Sequence, residues 1–187
     1  MFVIIVGGGR TGSHLASLLL SQNHEVRLIE SRRDTLDNLH RELPTEVIFE
    51  GDGTDPAVLE AAGVKHAHVL AAVTSEDADN LLACAMAREF YGVNRVIGRI
   101  NNPRHAWLFT QEMGVDVALN NADLMAKLIE EEMSLGDMMI LQKLRRGQYL
   151  LVEEKIYPGA LAVGKAIKDL VLPQNCTISG ILRHDQM

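Results

Sequence analysis

The chain has 187 residues, 47% of them hydrophobic and 23% charged, with a formal net charge of −7. That composition describes a globular protein with a real core rather than a disordered chain, and the acidic balance argues against nucleic acid, whose phosphates call for Lys and Arg. Aromatic residues make up only 4%, no apolar run is long enough to span a bilayer, and Cys84 and Cys176 stand far apart with no ligand spacing, in keeping with a reducing, cytoplasmic setting.

Residues 1–12 read Met-Phe-Val-Ile-Ile-Val-Gly-Gly-Gly-Arg-Thr-Gly. An apolar run that meets glycines and then a helical pattern over 13–20 predicts strand, tight turn and helix. In such a unit Gly7 permits the turn, Gly9 lets backbone approach a pyrophosphate, and Gly12 lets helix and strand pack closely. Phosphates would sit on the free N–H groups and positive end of the helix. A second short strand over 25–30 ends in Glu30, about 20 residues past the glycines, where this kind of fold places an acid on the ribose hydroxyls. Ser31 reads as the cap of the next helix, with Leu36, Leu39 and Leu43 on its apolar face and Pro44 ending it. Arg32 or Arg33 would suit a 2′-phosphate, but Glu30 would repel that group, so a nucleotide with a free 2′-hydroxyl is expected.

A third strand over 47–49 leads into Glu50-Gly51-Asp52-Gly53-Thr54-Asp55-Pro56, a hydrogen-bonding rim at a strand's carboxyl end. Asp52 is expected to face the adenine amino group, with Gly53 and Thr54 beside it. Asp55 is expected to start a helix over 57–62, with Pro56 at its first position. Two aspartates alone do not make a metal site. The fourth strand spans 67–73. His66 and His68 read as polar residues at its entry rather than as ligands, since no third ligand is near. Thr74 stands at its carboxyl end, over the same crevice as the glycines, and its hydroxyl is expected to contact ribose or phosphate. A helix over 77–91 stops at Gly92 and carries Cys84 as a small core residue. A fifth strand spans 95–100, a helix follows Asn101-Asn102-Pro103 to about 112, and a sixth strand spans 114–119. Six strands alternating with five helices predict a doubly wound parallel α/β sheet of Rossmann type.

The pattern changes at 121. A helix over 121–133 carries an apolar stripe that the finished sheet does not need, so a further lobe or a second copy of the chain should bury it. Strands over 138–144, 149–156 and 177–182, with a short helix over 163–170, read as a small β-rich lobe. The expected organisation is a nucleotide-binding domain over 1–119, a crossover helix over 120–134 and a partial regulatory lobe over 135–187, short enough to suggest truncation. A dehydrogenase needs groups that place substrate and move a proton. The roughly 70 residues after the sixth strand hold one histidine, His184, and no arrangement of nucleophile and base. A binding module that reports nucleotide state fits better than an enzyme. A small NAD(P)-dependent oxidoreductase, or the nucleotide half of one, is the alternative from another class.

Taken together, the glycine segment 6–12, Glu30, Gly51-Asp52-Gly53-Thr54-Asp55, Ala72-Val73-Thr74-Ser75-Glu76-Asp77 and Arg99-Ile100-Asn101-Asn102-Pro103 resemble the RCK/KTN (TrkA-N) domain. That family comprises nucleotide-binding regulators of Trk and Ktr potassium uptake systems and of related channels. The likeness covers 1–134 closely and the tail more loosely. It implies a gating subunit that binds NAD(H), ATP or ADP. It also implies pairing into dimers that form rings, on the inner face of the cell membrane, against a potassium-translocating subunit of the Trk or Ktr type. It further implies that Arg10, next to Thr11 in the loop, reaches the terminal phosphates, that Arg99 approaches the same region, and that helix 121–133 pairs two copies.

Overall fold

Strand β1 (Phe2–Val6) is apolar on both faces because both faces are covered. Val3 and Ile5 enter one core cluster with Ala16, Val26, Leu28, Leu36 and Leu39, while Ile4 and Val6 enter a second with Leu59, Leu70, Ala72, Cys84 and Val96. This computed structural model describes residues 1–134, 138–144 and 149–181. It falls into two units, Met1–Glu130 and Glu131–Met187.

The first unit holds a six-stranded sheet in the order β3-β2-β1-β4-β5-β6, every neighbouring pair parallel. Its strands are β1, β2 (Glu25–Glu30), β3 (Ile48–Glu50), β4 (Val69–Ala72), β5 (Arg95–Ile100) and β6 (Val117–Asn120). The helices between them are α1 (Arg10–Ser21), α2 (Arg33–Glu42), α3 (Pro56–Ala61) and α4 (Asp77–Glu89). Val6 lies level with Ile29 on one side and Ala72 on the other, so β1, β2 and β4 end at one edge. The winding reverses between β1 and β4, and an open α/β sheet leaves its ligand crevice at such a point.

Several expectations need correction. Helix α1 starts at Arg10, so Gly12 lies inside it and not ahead of it. Ser31 does not cap α2: the cap position is Arg32, and the Ser31 N–H donates to Glu30 Oε1 at 2.9 Å. His66 lies in a 3₁₀ turn (Val64–His66), and His68 precedes β4 with its Nδ1 accepting from Phe2 N–H at 3.0 Å, so the two do not share a strand face. Between β5 and β6 there is no α-helix. Asn102 Oδ1 accepts from Arg104 N–H at 3.1 Å and starts a 3₁₀ segment (Pro103–Leu108) with Pro103 first. Phe109 then leaves helical geometry to bury itself against Gly98, and Gly114, at φ +83°, turns the chain into β6.

Helix α5 (Asn121–Ser134) follows β6 directly. Buried Asn120 launches it, its Oδ1 accepting from Ala122 and Asp123 N–H while its Nδ2 donates to Asp123 Oδ2. In the second unit β7 (Met138–Leu144) and β8 (Tyr149–Glu154) form an antiparallel pair with a bulge between Ile140 and Gln142. The helix expected over 163–170 is only a 3₁₀ turn (Ile167–Asp169). Residues 177–181 join no sheet among the described residues, and 182 and His184 lie outside them. Among the described residues, no helix is long and apolar enough to cross a membrane.

Candidate functional site

The glycine loop is built by contacts that a side chain would destroy. Gly7 has φ +105°, and a Cβ there would stand 2.9 Å from the Thr74 backbone nitrogen. A Cβ on Gly12 would run into the Gly7 carbonyl oxygen, which is why α1 can start so close to β1. Gly9 is the N-cap of α1, and no side chain caps that end or places an acid in its first turn. The first N–H groups of α1 therefore face the carboxyl edge of the sheet with their positive dipole end uncompensated. Arg10 and Thr11 stand exposed in that first turn.

Glu30 is the centre of this arrangement. It is only 4% exposed, and its Oε2 accepts from Gly8 N–H at 2.8 Å while its Oε1 accepts from Ser31 and Arg32 N–H at 2.9 and 2.8 Å. One carboxylate thus ties the glycine loop to the start of α2. Arg32 adds two charged bonds, Nε to Oε1 at 3.0 Å and Nη2 to Oε2 at 2.8 Å. Burial pushes the carboxyl pKa up, but the Arg32 side chain and the Arg32 and Gly8 amides outweigh it and hold Glu30 below the usual carboxylate range.

The other residues named from sequence line the same edge. Gly53 packs on Val6, where a Cβ would strike the valine side chain, so the loop after β3 lies against the end of β1. In that loop Asp52 Oδ1 accepts from Thr54 N–H at 2.8 Å and from its hydroxyl at 2.7 Å, while Asp55 caps α3 through Ala57 N–H at 2.8 Å. The Thr74 hydroxyl lies 2.9 Å from Asn80 Oδ1 and 3.1 Å from the Glu76 carbonyl, and it accepts from Glu76 N–H. Arg99 is half-buried on β5, and its Nε is buried without a hydrogen-bond partner. Among the described residues, no group of three or more His, Cys, Asp or Glu is placed to hold a metal ion.

Three further residues shape the edge. Asn80 is fully buried in α4; its Oδ1 accepts from Thr74 N–H at 2.8 Å and its Nδ2 donates to the Thr74 and Arg99 carbonyls. Asp77 accepts from Asn101 and Asn102 N–H at 2.6 and 3.0 Å, and its Oδ2 lies 2.8 Å from His105 Nδ1. Arg32 is the third. An asparagine inside an Ala- and Leu-rich helix is the one signal that sequence offered for Asn80, since such a residue persists in a core only when its amide is bonded.

The family model for the TrkA-N domain matches residues 3–121. The chain belongs to the TrkA-N family. It is 33% identical over 183 residues to the Trk system potassium uptake protein TrkA of Mycobacterium tuberculosis, covering 98% of this chain and 82% of that protein. It is 35% identical over 170 residues to a TrkA homolog of Methanothermobacter thermautotrophicus, covering 91% and 77%. In structure this TrkA-N chain is similar to the TrkA-N domain of inner membrane protein ybaL from Escherichia coli, with a TM-score of 0.63 at 21% identity over 71% of this chain and 96% of that one. It is also similar to GsuK bound to ADP, at TM-score 0.60 and 22% identity over 71% and 34% of the two chains. The GsuK channel bound to NAD gives 0.58 and 22% over 73% and 25%. At 21–22% identity these likenesses show a shared fold.

Proposed function

We propose that this chain is a nucleotide-responsive regulatory subunit of a Trk-type potassium uptake system. On this reading it holds an adenosine nucleotide, ATP, ADP or NAD(H), across the crevice between β1 and β4. The observation that carries it is the union of the glycine loop with Glu30: an uncapped helix end for phosphate and a strand-end carboxylate for ribose are joined by the Gly8–Glu30 bond. The relatives named TrkA support the potassium system, and the ADP and NAD complexes of GsuK support the ligand class.

Arg10 and Thr11 meet the distal phosphates, Gly7, Gly9 and Gly12 let them approach, and Glu30 takes the ribose. Asp52, Gly53 and Thr54 border the adenine side, Thr74 closes the crevice opposite Gly7, and the unpartnered Nε of Arg99 supplies a further donor. Signalling follows from differential binding, because a ligand shifts an equilibrium only by its preference for one state. A triphosphate that bonds Arg10 more strongly than a diphosphate favours one arrangement of paired subunits, and a coupling of about 1–3 kcal/mol suffices. The subunit works at the cytoplasmic face, docked on a potassium-translocating membrane protein and assembled with copies of itself.

Calorimetric titration of nucleotide-stripped protein with ATP, ADP, NAD and NADH, repeated on Arg10→Ala, tests this. Selective loss of ATP affinity in the variant is expected. Equal affinities and an unchanged assembly with every nucleotide, or sustained turnover of NADH with a carbonyl substrate, would overturn it.

A further inference from the structure

Glu30 ends β2 where a ribose would be read, yet its two oxygens already receive five donors. Gly8 N–H and Arg32 Nη2 donate to Oε2, and Ser31 N–H, Arg32 N–H and Arg32 Nε donate to Oε1, at 2.8–3.0 Å. An ionised carboxylate offers about four lone-pair positions, so with five donors already gathered there a pair of ribose hydroxyls cannot be added and can only replace two of them. Three of the donors are backbone amides that define the glycine loop and the start of α2, and they cannot leave without unmaking those turns. The other two belong to the Arg32 guanidinium. Its side chain is 58% exposed against 3% for Glu30, so it can swing into water while the backbone amides stay in place. It also lies against the loop, since a Cβ on Gly9 would stand 3.7 Å from Arg32 Nη2.

From this juxtaposition we infer that Arg32 is a built-in competitor for the ribose-reading carboxylate, a specificity-determining residue that an adenosine nucleotide displaces before both of its ribose hydroxyls bond Glu30. The inference rests on the nucleotide reading above. The step is an exchange of donors: two guanidinium N–H groups leave Glu30 and two ribose O–H groups take their places. Charge-assisted bonds are the stronger kind, so Arg32 lowers affinity for ligands that need Glu30. A nucleotide without 2′- and 3′-hydroxyls has nothing to gain by displacing it.

The test is calorimetric titration of ADP and of 2′,3′-dideoxy-ADP into the unaltered chain, Arg32→Ala and Arg32→Gln. Loss of a cation near the phosphates acts on both ligands alike, so the ratio of ADP to dideoxy-ADP affinity isolates Glu30. That ratio is expected to rise roughly 3- to 30-fold in both variants. Circular dichroism confirms folding, and Arg32→Gln keeps an uncharged side chain of similar reach as the second variant. An unchanged or lowered ratio with ADP still binding overturns this inference alone. ADP binding to none of the three proteins overturns this inference, and it overturns the nucleotide reading together with it when ATP, NAD and NADH also fail to bind the unaltered chain.

Discussion

Among the described residues, Glu30 and Asp77 are the two carboxylates whose ionised forms the fold bonds most heavily, and both titrate below the usual range. For Asp77, burial pushes upward, but the amides of Asn101 and Asn102 and the side chains of His105 and Asn101 outweigh it. A carboxyl depressed in the folded state contributes stability above its unfolded value and loses it as pH falls through the folded value. The urea midpoint should therefore stay flat from pH 7 to 5 and drop below about pH 4. Glu30→Gln should start from a lower midpoint and lose less of it in acid, because one of the two groups no longer titrates. Cys84 makes a second residue-scale prediction. Burial in α4 pushes its thiol up to about 12, whereas Cys176 is exposed. The thiolate is the reactive form, so a thiol reagent at pH 8 should label Cys176 in the folded protein and both cysteines in denaturant. Rapid labelling of Cys84 in the native state would contradict this packing. The position of Glu30 was legible from its spacing, but the grip of Arg32 was not. Whether an arginine two residues on folds back over a carboxylate depends on the turn between β2 and α2.

At the scale of elements, α4 connects the two strand ends that flank the crevice on one side. Asn80 binds the Thr74 amide and carbonyl at the end of β4 and the Arg99 carbonyl on β5. Arg88 holds the other end of the helix, bonding the Val93 carbonyl and the Asp116 carboxylate, which also accepts from Val96 N–H. Asn80→Ala removes a fully buried amide and leaves the Thr74 N–H without its acceptor, so a loss of about 2–3 kcal/mol is expected in denaturant unfolding. Hydrogen exchange should rise at residues 74–77, where local opening now costs less. Unchanged exchange there would show that the loop is held by other contacts. The β5–β6 connection was misread from sequence for a related reason. Asn102-Pro103 does begin a helical turn, but burial of Phe109 on Gly98 ends it, and a contact of that kind is invisible to local patterning.

For the whole molecule, the informative surface is α5. Leu124, Met125, Leu128, Ile129 and Met133 are all exposed, from 48% to 81%, and their spacing sets them along one side of the helix. An apolar stripe of that length calls for a partner surface. The double variant Leu128→Asp with Ile129→Asp should shift the chain to a smaller species in light scattering while far-ultraviolet circular dichroism stays the same. An unaltered mass would remove α5 from the assembly interface. The six strands of the first unit in chain order, the helices α1 to α4 that follow its first four strands, the glycine turn and the acid at the end of β2 follow from sequence alone. Each rests on local periodicity or on a backbone conformation that only glycine accepts readily. Tertiary structure decided the rest: which donors saturate Glu30, that Asn80 carries the Thr74 turn, and that Phe109 cuts short the helix after β5. Those outcomes depend on how the turns orient side chains near and far in the chain toward the same hydrogen bonds and the same buried space, and no periodic pattern records that.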